Sequence, residues 1–486
     1  MTRSNPSVLR RACAPALLAA FLLAPAAHLR AQAQNPTSAT NPFFGSVTAR
    51  PATEETLKLS LDEAIGMGLR NNLGLKEAEN AEKALNGQKN VALQSFLPNL
   101  IVSGSNGIYQ HDLAAMGFGP GTLKKFASIM GGSMPSNFKF ITRDDLTQGE
   151  VQFGQMLFSG PVIAAYKGAR AAEQAAHFAR MSARGEVVQQ VATAYLHALA
   201  AQSEIDNALA QLATDQLTLD NARAAHEAGT GAHLDELRAA VQVQAQQLAL
   251  IAARNDLEKD LILLKREIGV APGQPIVLTD PAPYSELAAQ TPEELRAVAY
   301  RNRQDYQTLI NQAIEYKAIH SAYRAERLPS LSFGGYYAVS AVNGAGAHGN
   351  FVCQGNLSLP LFREARLRGD IQASQAQLEA VQAQLADLRG KIDQQVRSAL
   401  LDANATEKLV QVARSNVELA TRALADEQER VSAGVDDNLP LVAAQSTLAS
   451  AQTSLVESLF QYNLAKLALA RAAGIIETQY REYLGR

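Results

Sequence analysis

No proline occurs between Pro161 and Pro272, or between Pro360 and Pro440. Proline breaks a helix by removing a donor and crowding the preceding turn, so both stretches are free to run as helix well beyond globular dimensions. From Pro161 to Glu227 is 67 residues, about 100 Å of continuous helix at 1.5 Å per residue. Along it Val191, Ala198, Ile205, Leu212 and Leu219 recur every seven positions, and Val396, Ala403, Val410, Val417, Leu424 and Val431 do the same in the second stretch. Sustained heptads without caps indicate coiled-coil packing. Alanines beside these positions, such as Ala413 and Ala420, allow close helix approach. No compact domain has an interior that long, so such helices must lie side by side along their length.

The two stretches belong to a duplication. Ala228-Gly229 and Ala433-Gly434 are 205 residues apart, as are Arg266-Glu267-Ile268-Gly269 and Arg471-Ala472-Ala473-Gly474. Leu157-Phe158 and Leu361-Phe362 are 204 apart, but Leu97-Pro98 and Leu328-Pro329 are 231 apart, so copy one carries 27 extra residues between these landmarks. A period near 200 residues is too long for a solenoid unit and marks the doubling of a half-domain. The expected order in each copy is a leading helix (Leu61 to Asn72; Pro292 to Asn302), a hairpin, a very long helix and a shorter one. The boundaries expected are residues 57–289 and 290–476, with a linker over 34–56 and a tail over 477–486.

Four short runs alternate in character: Leu100 to Tyr109, Val151 to Phe158, Leu331 to Val339, and Phe351 to Phe362. In the last, Phe351, Cys353, Leu357 and Leu359 share one face while Gln354, Asn356 and Ser358 share the other, the period of a strand with two unlike faces. Strands are expected at about 98–109, 150–158, 329–340 and 350–360, and long helices at about 161–268 and 363–473. Glycine-rich loops join the strands, Gly117 to Gly121 in copy one and Gly344-Ala345-Gly346 in copy two.

Residues 1–33 read as a secretory signal peptide: Arg3, Arg10 and Arg11, an apolar run from Ala14 to Ala27, then Ala31-Gln32-Ala33 as a cleavage site. Its removal takes four arginines and no acids, so the formal charge falls from −3 to −7. An acidic exported chain without a basic stripe is not a nucleic-acid binder. Cys353 alone remains after processing; it is expected as a small strand residue with no redox role, and stability must come from packing or oligomerisation. No later run of 18 apolar residues exists, which excludes helical membrane spans. Placement in a bacterial outer membrane remains open, but only as a closed barrel, because unpaired strand edges cannot face lipid. Four strands cannot close a barrel, since bacterial barrels begin near eight. If the runs face lipid, several chains share one barrel, with Tyr109, Phe153, Phe158, Phe333, Tyr336, Tyr337, Phe351 and Phe362 supplying interfacial aromatics in a chain without tryptophan.

The doubled order, with Leu-Pro before each first strand and Leu-Phe after each second, resembles the TolC-type outer membrane efflux proteins (outer membrane factors). So do the segments Ala228-Gly229…Ala239 and Arg430-Val431-Ser432-Ala433-Gly434…Gln445-Ser446-Thr447-Leu448, over residues 57–476. The resemblance implies a mainly α chain with membrane β. Three subunits, four strands each, would form one outer-membrane β-barrel continued by a periplasmic α-barrel with a mixed belt at mid-height. It also implies a passive exit duct, of efflux or type I secretion, serving a separate inner-membrane transporter and a periplasmic adaptor. The helical hairpin tips, Ala228 to Leu237 and Ala433 to Val442, would close the periplasmic entrance and meet the adaptor, which singles out Gly229, Gly231, Gly434, Val435 and Pro440. Members often carry acids six and nine positions after the second tip glycine and, in some, an arginine two positions after it; here those positions hold Pro440, Ala443 and Asp436. Asp235 matches an acidic position of the first tip. The expectation is a displaced acidic mouth of Asp235, Asp436 and Asp437, against the plain alternative of helix-capping acids in a solvated turn.

Other chemistry is sparse. Gly229-Thr230-Gly231 lacks the preceding strand and following Lys-Ser/Thr of a phosphate loop, and suits a helix C-terminus with glycine in the left-handed position. Asp437-Asn438 supplies cap chemistry before Pro440, which fits the first turn of the next helix. His226 and His233 flank Gly229, seven apart, with Asp235 nearby. The ligand types would suit a divalent metal, but His226 continues the heptad line of Leu219 and neither a short ligand spacing nor a fourth ligand is visible, so packed or capping histidines are expected and no metal. No nucleophile elbow, zincin or dinucleotide fingerprint is present, so neither catalysis nor a cofactor is expected. On the residues alone two alternatives stay open: a soluble periplasmic coiled-coil scaffold or adaptor, and a pore that secretes proteins instead of small molecules.

Overall fold

The duplication can be followed residue by residue in a computed structural model, which describes residues 40–47, 51–132, 139–281, 283–433 and 438–485. The signal-peptide reading of residues 1–33 lies outside them. Copy one runs β1 (Leu57–Leu59), α1 (Leu61–Asn71), α2 (Leu73–Gln94), β2 (Asn99–Asp112), α3 (Pro120–Ile129), β3 (Ile141–Phe158), α4 (Gly160–Glu227) and α5 (His233–Ile268). Copy two runs β4 (Ile276–Leu278), α6 (Pro292–Asn302), α7 (Gln304–Ala325), β5 (Ser330–Val342), β6 (His348–Ser358), α8 (Glu364–Ser432) and α9 (Asn438–Ala472), followed by α10 (Ile476–Tyr483).

Both boundaries of α1 and α2 recur in α6 and α7 at the 231-residue offset of the Leu-Pro landmarks. The local chemistry recurs with them. Ser60 and Thr291 each form a capping box, the hydroxyl accepting from the backbone N–H of Glu63 or Glu294 at 3.3 Å while that carboxylate accepts from the cap N–H. Two orphan donors are thereby satisfied at each helix start. Between the paired helices, Asn72 and Arg303 are extended (ψ 134° and 118°), breaking what would otherwise be one helix. Asn72 holds its bend from within, accepting from Leu75 N–H at 3.3 Å and donating to the Phe43 carbonyl at 2.6 Å.

The four membrane-candidate strands form one antiparallel sheet in the order β2-β3-β5-β6, and β1 pairs in parallel with β4 where the two halves meet. The strands extend further than their sequence pattern indicates: β3 begins at Ile141, because its pairing with β2 continues through polar residues such as Asp145 and Arg143. β6 stops at Ser358, short of Leu359 and Phe362, ahead of Pro360, which has no N–H for a ladder. The glycine-rich segment expected as a loop in copy one contains a helix, α3, started by Pro120 at its first turn. That insertion, residues 113–140 against 343–347 in copy two, holds most of the extra length of copy one. The five-residue connection opens with a turn on Asn343 (φ 53°) and Gly344 (φ 72°), closed by Ala345 N–H donating to the Val342 carbonyl at 3.0 Å; Asn-Gly is the pair that a turn with positive φ at both central positions favours.

Helices α4 (68 residues) and α8 (69 residues) run the length of the helical part of the fold, each roughly 100 Å. Their halves have different neighbours. Near the sheet α4 lies between α2 and α7, and α7 in turn meets α8; away from it α4 packs on α5 and α9, and α9 on α8. Small residues set the upper spacing: a Cβ on Gly160 would meet the Ala325 methyl at 2.8 Å, and one on Gly168 would touch Ala318. The heptad positions Val191, Ala198, Ile205 and Leu219 are buried on α4, as are Val396, Ala403, Val410 and Leu424 on α8.

The main core lies at mid-height, where Val187, Val191 and Tyr195 of α4, Ile392 and Val396 of α8, and Leu467 and Leu469 of α9 meet α1, α6 and the β1–β4 pair. Tyr195 is fully buried and its hydroxyl serves the Leu59 carbonyl at 3.1 Å and the Asp280 carboxylate at 2.9 Å, anchoring both small strands to the long helix. The segment read above as a tail is docked here as far as it is described, over residues 477–485: Tyr480, Tyr483 and Leu484 are buried, and Tyr480 donates to Asp62 at 2.7 Å. The 34–56 segment is tied down from Thr40 onward where described, with the Phe43 ring filling the space over Gly74.

Candidate functional site

Two regions carry the candidate function, the sheet and the far end of the helices. Register across the sheet sorts its side chains into two unlike faces. Val102, Val151, Tyr337 and Phe351 stand in one row across all four strands. Leu100 and Phe153 lie one step along the same face, and Phe333, Leu331 and Leu357 complete it toward the helices. The opposite face presents Ser103, Glu150, Ala338 and Asn350 in one row and Gln152 and Gln354 beside it. Among the described residues nothing covers the apolar face: Val102 and Phe351 are each about three-quarters exposed. From Leu331 to Ala341 the strand climbs about 34 Å, or roughly 26 Å of height at a 40° tilt, the thickness of an apolar membrane band. Cys353 is free and exposed on this apolar face.

The outer strands β2 and β6 each leave one edge unpaired among the described residues. The helical layer has matching open flanks. On α5, Leu234, Leu237, Val241, Leu248 and Ile251 are all at least half exposed, at successive spacings of three, four, seven and three residues. On α8, at the other flank, Leu401, Leu409, Val412 and Leu419 are exposed. A heptad stripe at an open flank is a surface built for another helix. Between the flanks the seams are closed by methyls and a few polar clasps, including Gln445 donating to Thr218 at 2.8 Å and Thr453 to Glu204 at 3.0 Å. Asp215 is buried in the α4–α5 seam, held by Gln211 at 2.9 Å, and burial pushes its carboxyl above the usual carboxylate range.

At the far end α4 turns into α5 through Gly229 (φ 75°), as its position at the helix end predicts. Thr230 and Gly229 donate to the Ala225 and His226 carbonyls, both at 2.9 Å. This is a Schellman closure, which satisfies the last helix carbonyls. Gly231 is needed for a different reason: a Cβ there would lie 2.9 Å from the Ala225 methyl. Asp235 sits in the first turn of α5, where an acid complements the helix N-terminus, and its carboxylate meets Arg238 at 3.3 Å. Pro440 falls in the first turn of α9. Gly434, Val435, Asp436 and Asp437 lie outside the described residues.

One feature of this tip departs from the sequence expectation. His226 does not continue the buried line of Leu219; it is exposed, its ring 4.9 Å from that of His233. The third group beside them is Glu236, not Asp235, with an Oε2 3.4 Å from His233 Nδ1. The two histidines were visible in the sequence as a pair flanking the turn, but which carboxylate joins them is settled only by the way the turn brings the two helix ends together.

The model of the family described as Outer membrane efflux protein matches residues 64–270 and 298–475 of the chain. Alkaline protease secretion protein AprF of Pseudomonas aeruginosa is 24% identical over 305 residues, 60% of this chain and 62% of AprF. Toluene efflux pump outer membrane protein TtgC of Pseudomonas putida is 25% identical over 301 residues, 61% of this chain and 62% of TtgC. The matched stretch thus spans less than two thirds of either relative. Among solved structures, the outer membrane protein VceC of Vibrio cholerae superposes with a TM-score of 0.68 at 17% identity, covering 85% of this chain and 96% of VceC. The open state of the MtrE outer membrane channel of Neisseria gonorrhoeae gives 0.69 at 17% identity, covering 89% and 95%.

Proposed function

The chain belongs to the outer membrane efflux protein family, and on that premise we propose that it is the outer-membrane exit duct of a tripartite efflux or type I secretion system. It sits in the outer membrane of a Gram-negative-type bacterium, reaches into the periplasm, and passively conducts what an inner-membrane transporter and a periplasmic adaptor deliver. The observation that carries this reading is the pair of open flanks, which run from the strand edges β2 and β6 down to the apolar stripes of α5 and α8. A surface whose two flanks differ associates head to tail, and the closed form of such association is a ring.

The ring is a homotrimer. With four strands from each chain, twelve strands spaced about 4.8 Å apart at a tilt of roughly 40° enclose a barrel about 24 Å across. Four helices per chain at each level, spaced about 9–10 Å, give a cylinder about 35 Å between opposing axes, and a bore of roughly 25 Å. The apolar sheet face meets lipid and the polar face lines the passage. At the far end the tips around Gly229, Gly231, Gly434, Val435 and Pro440 meet the adaptor, and Asp436 and Asp437, with Asp235 beside its Arg238 partner, make the mouth negative and favour cations. The test is the mass of the detergent-solubilised oligomer together with conductance in a planar bilayer. A trimer with discrete channel openings is expected. A monomer soluble without detergent after signal removal would leave the duct reading untenable.

A further inference from the structure

We propose that the first helical hairpin tip is a binding site for a divalent transition metal of the zinc class, with His226, His233 and Glu236 as its protein ligands. Each residue presents one donor atom, and the three donors lie within 4.8 Å of one another. Two imidazoles and one carboxylate are a zinc donor set of the kind that leaves a fourth position to water. Donors of a tetrahedral site at about 2.1 Å from the ion are roughly 3.4 Å apart, so the widest pair of the cluster needs to close by up to about 1.4 Å. Both imidazoles are exposed and free to make that adjustment by rotation.

The fold assembles the cluster from two helices. His226 is in the last turn of α4, His233 is the first residue of α5, and Glu236 lies one turn further on. The Gly229 left-handed turn and the close approach at Gly231 bring these helix ends together. A second contact orients the carboxylate. Arg223, on the preceding turns of α4, holds Glu236 Oε1 at 3.3 Å, while the other oxygen, Oε2, points to His233 at 3.4 Å. One oxygen is therefore fixed from behind and the other is directed at the imidazoles, the role of an outer-sphere partner at a metal site. Asp235 takes no part, since its carboxylate is turned to Arg238. A bound ion would clip α4 to α5 across the turn and stiffen the tip. Imidazole selects against the hard cations magnesium and calcium, which prefer all-oxygen shells.

The experiment is calorimetric titration of the full-length, tag-free, detergent-solubilised protein with Zn²⁺, paired with Co²⁺ absorption as a report of coordination geometry. None of this depends on channel activity, so it succeeds or fails apart from the duct reading. One Zn²⁺ per chain is expected, unaffected by excess Mg²⁺. His226→Ala and His233→Ala should each weaken binding about 100-fold or more, and Glu236→Gln or Arg223→Ala about 10- to 100-fold. His226, His233 and Arg223 are exposed and Glu236 is partly so, so oligomer mass and metal-free melting should match the parent and exclude misfolding. The proposal is overturned if stoichiometric binding is absent, or if the His226→Ala/His233→Ala double variant binds Zn²⁺ as the parent does.

Discussion

Glu267 offers a measurable handle on the mid-height belt. It lies in the last turn of α5, fully buried, with Oε1 receiving a hydrogen bond from Gln190 Nε2 at 3.2 Å and Oε2 without a partner among the described residues. Burial penalises the charged form and pushes its carboxyl from the ordinary 4.5 up to about 8, an effect the Gln190 bond only partly offsets. The folded protein therefore keeps a proton that the unfolded chain releases near 4.5. Stability from this group is full below that value and is lost as pH rises through the window from 4.5 to about 8. At about 1.4 kcal/mol per pH unit, the loss reaches roughly 3 kcal/mol by pH 7 and about 5 kcal/mol above pH 8. Glu267→Gln keeps the shape and removes the titration. For a chain of this size the gain is about 1 °C of melting temperature per kcal/mol, hence about 3 °C at pH 7 and nothing at pH 4.5. Thermal unfolding followed by circular dichroism across this range, parent against variant, cancels every other titration the two share. Parallel curves would falsify the buried-acid argument.

Gly474 takes φ 75°, and a Cβ there would lie 2.7 Å from the Arg303 amide nitrogen. Gly474→Ala should cost roughly 2–5 kcal/mol by melting, from backbone strain and overpacking together; Gly229→Ala, at φ 75° in open space, should cost about 1–2 kcal/mol. On the sheet, Val102→Arg places a charge on the apolar face and should cost about 2–4 kcal/mol of membrane stability, read as lost heat-resistant oligomer in electrophoresis. Gln152→Arg, on the polar face, should leave that oligomer intact. The Asp436→Asn/Asp437→Asn double variant should lower cation-over-anion selectivity in bilayer recordings, and unchanged selectivity would remove those acids from the mouth.

The long helices were legible because two local rules agreed over many residues, absence of proline and heptad recurrence. Val191, Ala198 and Val396 are buried where those rules place them. The four alternating runs all lie in one sheet, since period-two patterning is also local, but their ends were not. β3 continues to Ile141 because its partner strand supplies hydrogen bonds regardless of side-chain polarity. The α3 helix was hidden by glycines that read as loop. At the tip, Gly229 was legible from its place at a helix end and His226 and His233 as a pair flanking it, whereas Glu236 in place of Asp235 as their third neighbour was not, because spacing across a turn has no fixed geometry until the turn is known.

The sequence alone determined the doubled plan, with its 231- and 205-residue offsets, and the element types that plan repeats. Those follow from propensity and periodicity, which act within a few residues. Only the tertiary structure decided which helix halves are neighbours, that β2 and β6 are the free edges, and which side chains meet at the hairpin tip. These are relations between residues distant along the chain or on opposite sides of a turn. They are set by the packing of Gly160 against Ala325 and by the closure at Gly229, and no local pattern encodes them.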